Sequence, residues 1–245
     1  MADYQKIYLR RLANRYLPAQ HSRGAQRRCS QLQQFFVPLQ KVLSETLDWQ
    51  TRPELLVLNR QDWRKLYSLP YGQPAVRRRV GTVAVIAPAD YSERFHLRFR
   101  GVLLQAGQKG VASPGTVAEY LDLRLGYSWA KANLQLAGLK ARSSLINDLA
   151  ANYLYQQSLL LSGQEGLTAR LMAWAKLEQA GGEAISLKNF RESRLAFGER
   201  LYAQGSVALM AAEFPKSLLL DLKSGLASIE AKAKALQEER ELAAN

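Results

Sequence analysis

Apolar residues recur three and four apart on both sides of Gly138 through EYLDLRLGYSWAKANLQLAGLKARSSLINDLAANYLY, residues 119–155. No proline interrupts either half, which predicts two helices joined by a short loop. The same spacing predicts a first helix over residues 3–17, stopped by Pro18, and a longer one over about 25–47. The second carries Leu32, Phe35, Phe36, Leu39, Val42, Leu43 and Leu47 on one stripe, and Pro38 is expected to kink or split it. Two short runs break the helical rhythm. LLVLN at 55–59 and the stretch Gly81–Ala87, closed by Pro88, are rich in branched side chains and tightly bounded, so each reads as a buried strand. Residues 92–107 read as a helix with Phe95, Leu97, Phe99, Val102, Leu103 and Leu104 inward, and Ser113 or Thr116 is placed to cap the helix after it. Beyond Tyr155 the pattern is wholly helical. Thr168–Gln179 ends at Gly181-Gly182, Ser186–Met210 makes one or two helices, and a last helix after Pro215 lacks a wide apolar face and is expected to project. The resulting expectation is a mostly helical α+β fold, with a small sheet packed against a helix pair and a C-terminal helical extension. Residues 1–160 form the α+β region with its basic N-terminal helices. Residues 161–245 pack on it as a helical region, and the two make one compact unit.

Charge changes this picture more than composition does. The chain carries a net +13, and residues 1–110 hold 19 Lys/Arg against 7 Asp/Glu, so nearly all of the excess lies in the first half. Such asymmetry suggests an acidic partner, with nucleic acid or another polyanion first and an anionic membrane or an acidic protein next. The candidate contacts are Arg10, Arg11, Arg15, Arg27, Arg28 and the consecutive Arg77, Arg78 and Arg79, which stand just before the second strand. No nucleic-acid-binding motif accompanies them, and three consecutive cations also suit a solvated edge that discourages strand pairing. No run approaches the roughly 20 apolar residues that a spanning helix needs. The N-terminal stretch has no uninterrupted apolar segment of a secretory signal, which gives the expectation of a cytoplasmic protein. The lone Cys29 permits no intramolecular disulfide and reads as an ordinary thiol. Only two histidines occur, His21 and His96, far apart in sequence and without companion ligands, so neither predicts a metal site and no cofactor is expected.

The order LLVLNRQDW, then LPYG-P, then a strand ending in APA, then an acidic-led helix, then LINDLAANYLYQQSLL resembles a family of small bacterial zincin-type metallopeptidases, over roughly residues 30–160. The resemblance implies a strand and loop that build a substrate edge, a long helix carrying H-E-x-x-H, and a Glu on the next helix as third zinc ligand. Two histidines one turn apart share a helix face and hold Zn²⁺ through neutral imidazoles, while the Glu between them polarises the attacking water. Aligned on the LINDLAANY helix, that motif falls on Tyr127-Ser128-Trp129-Ala130-Lys131, and Asp148 stands at the third ligand. Tyr127 is a poor zinc ligand, Ser128 cannot serve as the base, and Lys131 brings a cation to a cation site. Only Asp148 keeps a ligand type. The resemblance thus implies a degenerate site with no metal. If the helices pack as in the family, the Lys131 ammonium reaches Asp148 across the old site and Tyr127 donates to the same carboxylate. The alternative for Lys131 is an ordinary solvent-facing residue.

Three functions follow as expectations. The first is a catalytically inactive metallopeptidase-like protein, a pseudoenzyme acting as a binding or regulatory module, with a protein or peptide partner lying along an edge near Val83–Ile86. The second is a basic nucleic-acid-binding protein that uses its N-terminal half. The third is an enzyme with a non-zinc site built from Asp122, Tyr127, Lys131 and Asp148, for which no recognised catalytic spacing exists.

Overall fold

The computed structural model describes residues 23–48, 52–58, 63, 74–79, 82–89, 93–141, 143–183, 197–224 and 226–243. The helix expected over residues 3–17 lies outside them, as do Phe190 and Leu195 of the stretch expected to start at Ser186. Helix α1 (Arg23–Leu47) runs unbroken through Pro38, so the expected split does not occur. Leu32, Phe36, Leu39, Leu43 and Leu47 are buried along its whole length, and that continuous stripe holds the helix together on both sides of the proline.

Three strands follow: β1 (Glu54–Leu58), β2 (Ala75–Arg79) and β3 (Thr82–Pro88). Their order is β1-β3-β2, with β1 parallel to β3 (Leu56 opposite Ile86) and β2 antiparallel to it (Arg77 opposite Ala84). Two expectations change here. The arginine run does not precede a strand but forms one, which two residues, Val80 and Gly81, separate from β3. A polar run is tolerated there because an outer strand need not bury both faces. The stretch Val83–Ile86 is not an edge, since β3 is hydrogen-bonded on both sides and its residues 83–87 are almost wholly buried. An unbroken apolar run suits that central position, so it cannot accept a further segment.

Helix α2 (Glu93–Gln108) turns Phe99, Val102 and Ala106 inward, while Leu97 and Leu104 are 64% and 60% exposed. Apolar residues stood on more of its circumference than one packed face can cover, so the expected inward set was too wide. Helix α3 (Val117–Leu136) is capped by Thr116, whose hydroxyl accepts from the Glu119 N–H at 3.2 Å, while Ser113 instead donates to the Gly115 carbonyl. Gly138, at φ +74°, supplies the left-handed turn that ends α3. Helix α4 (Ser144–Leu161) then runs through the centre of the molecule and is buried on nearly every face from Leu145 to Leu159. It packs on α1 and α3 and on the later helices α5 (Glu165–Gly181), α6 (Phe197–Ala212) and α8 (Ala227–Ala243), while α3 lies across β2 and β3. The chain after Pro215 forms two helices, α7 (Leu218–Ser224) and α8. The second does not simply project, because Ile229 and Ala233, one turn apart, are buried. The fold is a mostly helical α+β one with a small three-stranded sheet.

Close helix crossings depend on glycines at which a side chain has no space, Gly126 and Gly205 among them. A Cβ on Gly126 would fall 2.3 Å from the Tyr155 ring of α4, and one on Gly205 would fall 2.4 Å from the Ala175 carbonyl of α5. The second obstacle is backbone and cannot swing aside. Gly205→Ala is therefore expected to cost about 2 kcal/mol of unfolding free energy, read as a lower urea midpoint at constant slope. An unchanged midpoint would mean that α5 and α6 separate without strain.

Candidate binding cleft

The i, i+4 relation on α3 places Tyr127 and Lys131 on one face, opposite Asp148 of α4. Asp148 is 5% exposed. Its Oδ1 accepts from the Lys131 ammonium at 2.5 Å and from the Tyr127 hydroxyl, and the ammonium also donates to the Tyr127 oxygen at 3.3 Å. Lys131 lies 5.6 Å from the Tyr127 ring centroid, with the Arg124 guanidinium 5.2 Å from it. A carboxylate that would be costly to bury alone is thus paired and hydrogen-bonded.

The other residues of YSWAK point elsewhere. Ser128 is buried and donates to the Arg124 carbonyl at 3.2 Å, so it takes no part in the cluster. Trp129 faces α1, where its ring stacks on Phe36 at 4.4 Å and its Nε1 donates to the Gln40 side chain at 2.8 Å. Asn133, one turn on, exchanges hydrogen bonds with the same amide. These contacts fix the rotation of α3 and thereby the aim of Tyr127 and Lys131.

The ion pair forms part of the wall of an open cleft of about 570 Å³ between β2, α3 and the start of α4. Val76 and Arg77 of β2, Lys131 and Leu134 of α3, Lys140 of the connecting loop and Asp148 line it. The loop is held from α4: Asn147 donates to the Ala141 and Ser143 carbonyls at 2.9 and 2.8 Å and accepts from the Ala141 N–H at 2.8 Å. Neither Lys140 nor Asn147 was singled out from the sequence. Asn147 had one available sign, its place beside Asp148 in LINDL. Lys140 had none, because its position depends on the turn at Gly138.

Of the cationic candidates, the side chains of Arg28 and Arg77 are described, and they have different surroundings. Arg77 is exposed and belongs to the cleft. Arg28 is a correction: it is 7% exposed and makes a two-pronged contact with Asp122 of α3, Nη1 to Oδ2 at 2.9 Å and Nη2 to Oδ1. The register of α1 turns it inward, where a fork-shaped cation matches a carboxylate. Asp122 is thereby engaged away from the cleft, so the four-residue non-zinc site is not assembled. Arg10, Arg11 and Arg15, and the side chains of Arg27, Arg78 and Arg79, lie outside the described residues, as does the side chain of Cys29.

Behind the cleft lies a second buried polar group that the sequence did not suggest. Glu178 of α5 is 2% exposed and accepts from the Tyr120 hydroxyl, with the Arg124 Nε 3.8 Å away; Arg124 also donates to the Gln204 side chain. Burial first, and then the Glu178 charge, push the Tyr120 phenol well above its ordinary range, while Arg124 opposes them. Burial likewise pushes the Tyr155 phenol up, and its hydroxyl has no hydrogen-bond partner among the described residues. Tyr155→Phe is therefore expected to stabilise the protein by about 1 kcal/mol at pH 7, measured by urea unfolding. In the unfolded chain both phenols ionise near pH 10, and in the folded protein they stay protonated beyond it. Above that pH the unfolded state has lost protons that the folded state keeps, so stability falls as pH rises, by about 1.4 kcal/mol per pH unit for each group. Tyr155→Phe should remove one group's share of that slope. A variant with the parent's slope and stability would overturn this account.

Comparison of the chain with family models, with curated proteins and with solved structures returns no match. The likeness to zincin-type metallopeptidases therefore rests on the quoted residues alone. The donors at the cluster do not suit zinc. An ammonium has no lone pair to give, a phenol is a weak ligand at neutral pH, and Asp148 is the one ligand type present. Among the described residues no three His, Cys, Asp or Glu side chains converge on a point. None of the described helices is long and apolar enough to cross a membrane.

Proposed function

We propose that this chain is a catalytically inactive, metallopeptidase-like binding module, a cytoplasmic pseudoenzyme whose cleft holds a ligand without cleaving it. One observation carries the reading. Three side chains spaced as a helix-borne metal triad would be, two from α3 one turn apart and one from α4, converge on a single point, and the cation at that point is the ammonium of Lys131. The ion pair substitutes for the charge balance of a bound metal and keeps the cleft wall intact beside it. Equilibrium dialysis of the purified protein against zinc tests this. The expected result is no stoichiometric uptake, and one zinc per chain displaced by mutation of Asp148 would overturn it.

A second reading, binding of nucleic acid by the basic half, has the charge asymmetry in its favour: residues 1–110 carry a net +12. Its expected mark is affinity that falls steeply with salt. The engagement of Arg28 by Asp122 removes one of the cations it counted on.

A further inference from the structure

Helix α2 carries two apolar faces. Phe99, Val102 and Ala106 form the buried one, where the Phe99 ring lies 6.0 Å from that of Trp174 on α5 and a Cβ on Gly181 would fall 2.3 Å from the Val102 carbonyl. Turned the other way are Leu97 and Leu104, 64% and 60% exposed, with the exposed Gly101 between them and Gln108 after them. These four stand alternately four and three residues apart, so they fall within an arc of about 60° along a seam about 16 Å long. Nothing lies within 4 Å of a Cβ built on Gly101, which leaves an open gap between the two leucines. Because α2 is pinned so closely on its inner face, it cannot roll to bury them.

A repeat of four and three is the spacing at which one helix lays its side chains into the gaps of another, and the residues on either side of such a seam select the partner's charge. Arg98 and Arg100 hold those flanking positions, one on each side, and both are exposed. No described residue pairs with either. Their own helix offers no counter-charge, since the sequence has neither Asp nor Glu from Arg94 to Ala118. A second copy of α2 laid along the seam would set arginine against arginine in either orientation, which opposes self-pairing there. Nucleic acid would match the charge but leave Leu97 and Leu104 uncovered. A lipid surface suits a broad apolar face, whereas two leucines around an open glycine make a socket for one side chain.

We propose that the outer face of α2 docks an acidic amphipathic helix of a partner protein, with an apolar side chain of that helix seated at Gly101 between Leu97 and Leu104 and its flanking carboxylates facing Arg98 and Arg100. The glycine sets how near the partner helix comes, the leucines supply the apolar contact, and the arginines select the sequence. This surface shares no residue with the cleft, so the two sites stand or fall separately.

Fluorescence anisotropy of the full chain with labelled three-heptad peptides tests the proposal. The first probe, (Leu-Ala-Gln-Leu-Glu-Lys-Glu)3, offers a leucine seam with Glu on both sides. The second, (Leu-Ala-Gln-Leu-Lys-Glu-Lys)3, reverses the flanking charge, and the third, (Ala-Ala-Gln-Ala-Glu-Lys-Glu)3, keeps the charge and removes the seam. A deoxythymidine decamer and phosphatidylserine vesicles are the polyanion probes. The expected result is binding of the first peptide on the order of tens of micromolar, because the seam is short, with the other two weaker by at least about tenfold. Arg98→Glu with Arg100→Glu should invert the order, weakening the acidic peptide by about tenfold or more and admitting the basic one. Leu104→Ser, at an exposed position, should weaken the acidic peptide several-fold and leave the urea midpoint unchanged. Leu104→Cys in a Cys29→Ser chain should react with a maleimide as fast as a free thiol, and a shielded thiol would mean that the chain itself covers this face and overturns the proposal. Equal binding of the basic peptide overturns the charge selection, and equal binding of the alanine peptide overturns the seam. Tighter binding of the decamer or the vesicles, lost in the double arginine variant, assigns the face to nucleic acid or to lipid and overturns the proposal. Self-association of the chain that Leu104→Ser abolishes, or binding of no probe, overturns it as well.

Discussion

A chain carrying Tyr127→His, Lys131→His and Asp148→Glu is expected to take up one zinc ion, with an affinity on the order of a thousandfold or more above the parent's. The expectation follows from placement. Positions 127 and 131 stand one turn apart on α3, and both side chains already meet the carboxylate at 148. Imidazoles there would offer lone pairs where a phenol and an ammonium now offer protons, and the longer Glu would return reach to the third donor. Ser128 need not change, because it faces the Arg124 carbonyl and not the cluster. Removal of Lys131 is part of the effect, since a fixed positive charge repels a dication at the same point. Isothermal titration with zinc, alongside a thermal melt with and without metal, reads both the stoichiometry and the stabilisation. A folded triple variant that binds no zinc would show that the convergence at 148 is accidental, and the metallopeptidase-like reading would fall.

Lys131→Met should destabilise the protein by about 2–3 kcal/mol, measured by urea unfolding at pH 7. Methionine keeps the length and aliphatic packing of the side chain and removes the charge. The Asp148 side chain, 7% exposed, then keeps the Tyr127 hydroxyl as its donor at the cluster. Because the Lys131 side chain is itself 26% exposed, water moderates the loss, and the estimate sits below that for a fully buried pair. The companion variant Lys131→Met with Asp148→Leu removes both charges and should regain most of the lost stability, because an apolar pair of similar volume has no desolvated charge to satisfy. A single variant as stable as the parent would make the ion pair incidental. A double variant no better than the single one would mean that Asp148 matters through its shape or its tyrosine contact.

Much of the helical frame was legible because its cause is local. The stripe from Leu32 to Leu47 and the one-turn spacing of Tyr127 and Lys131 follow from helical periodicity, which a single sequence displays, and the turn at Gly138 from its glycine; that Asp148 meets them was expected only from the resemblance. What could not be read depends on partners far away in the chain. Arg28 looked like one more surface cation in a basic region, and its engagement required Asp122, 94 positions later. The run AVRRR has no apolar alternation, so nothing local marks it as a strand, and its pairing with β3 is a property of the sheet. For the same reason the central place of β3 was missed: an apolar run announces burial but not how many neighbours provide it. On α2, Leu97 and Leu104 share the helix with Phe99 and Val102, and composition alone does not say which arc turns inward. The cleft was invisible in sequence because it is bounded by three elements that meet only after folding.

Helix α4 bears on how the molecule is made. It packs on α1, which the ribosome delivers well before it, and on α6 and α8, which come later. When Leu161 emerges from the exit tunnel, an almost wholly buried helix has met α1 and α3 but not α5, α6 or α8. The nascent chain must therefore hold that helix loosely, or keep it against a chaperone, until the C-terminal helices arrive. The cleft that α4 helps to build is thus finished by helices that do not line it.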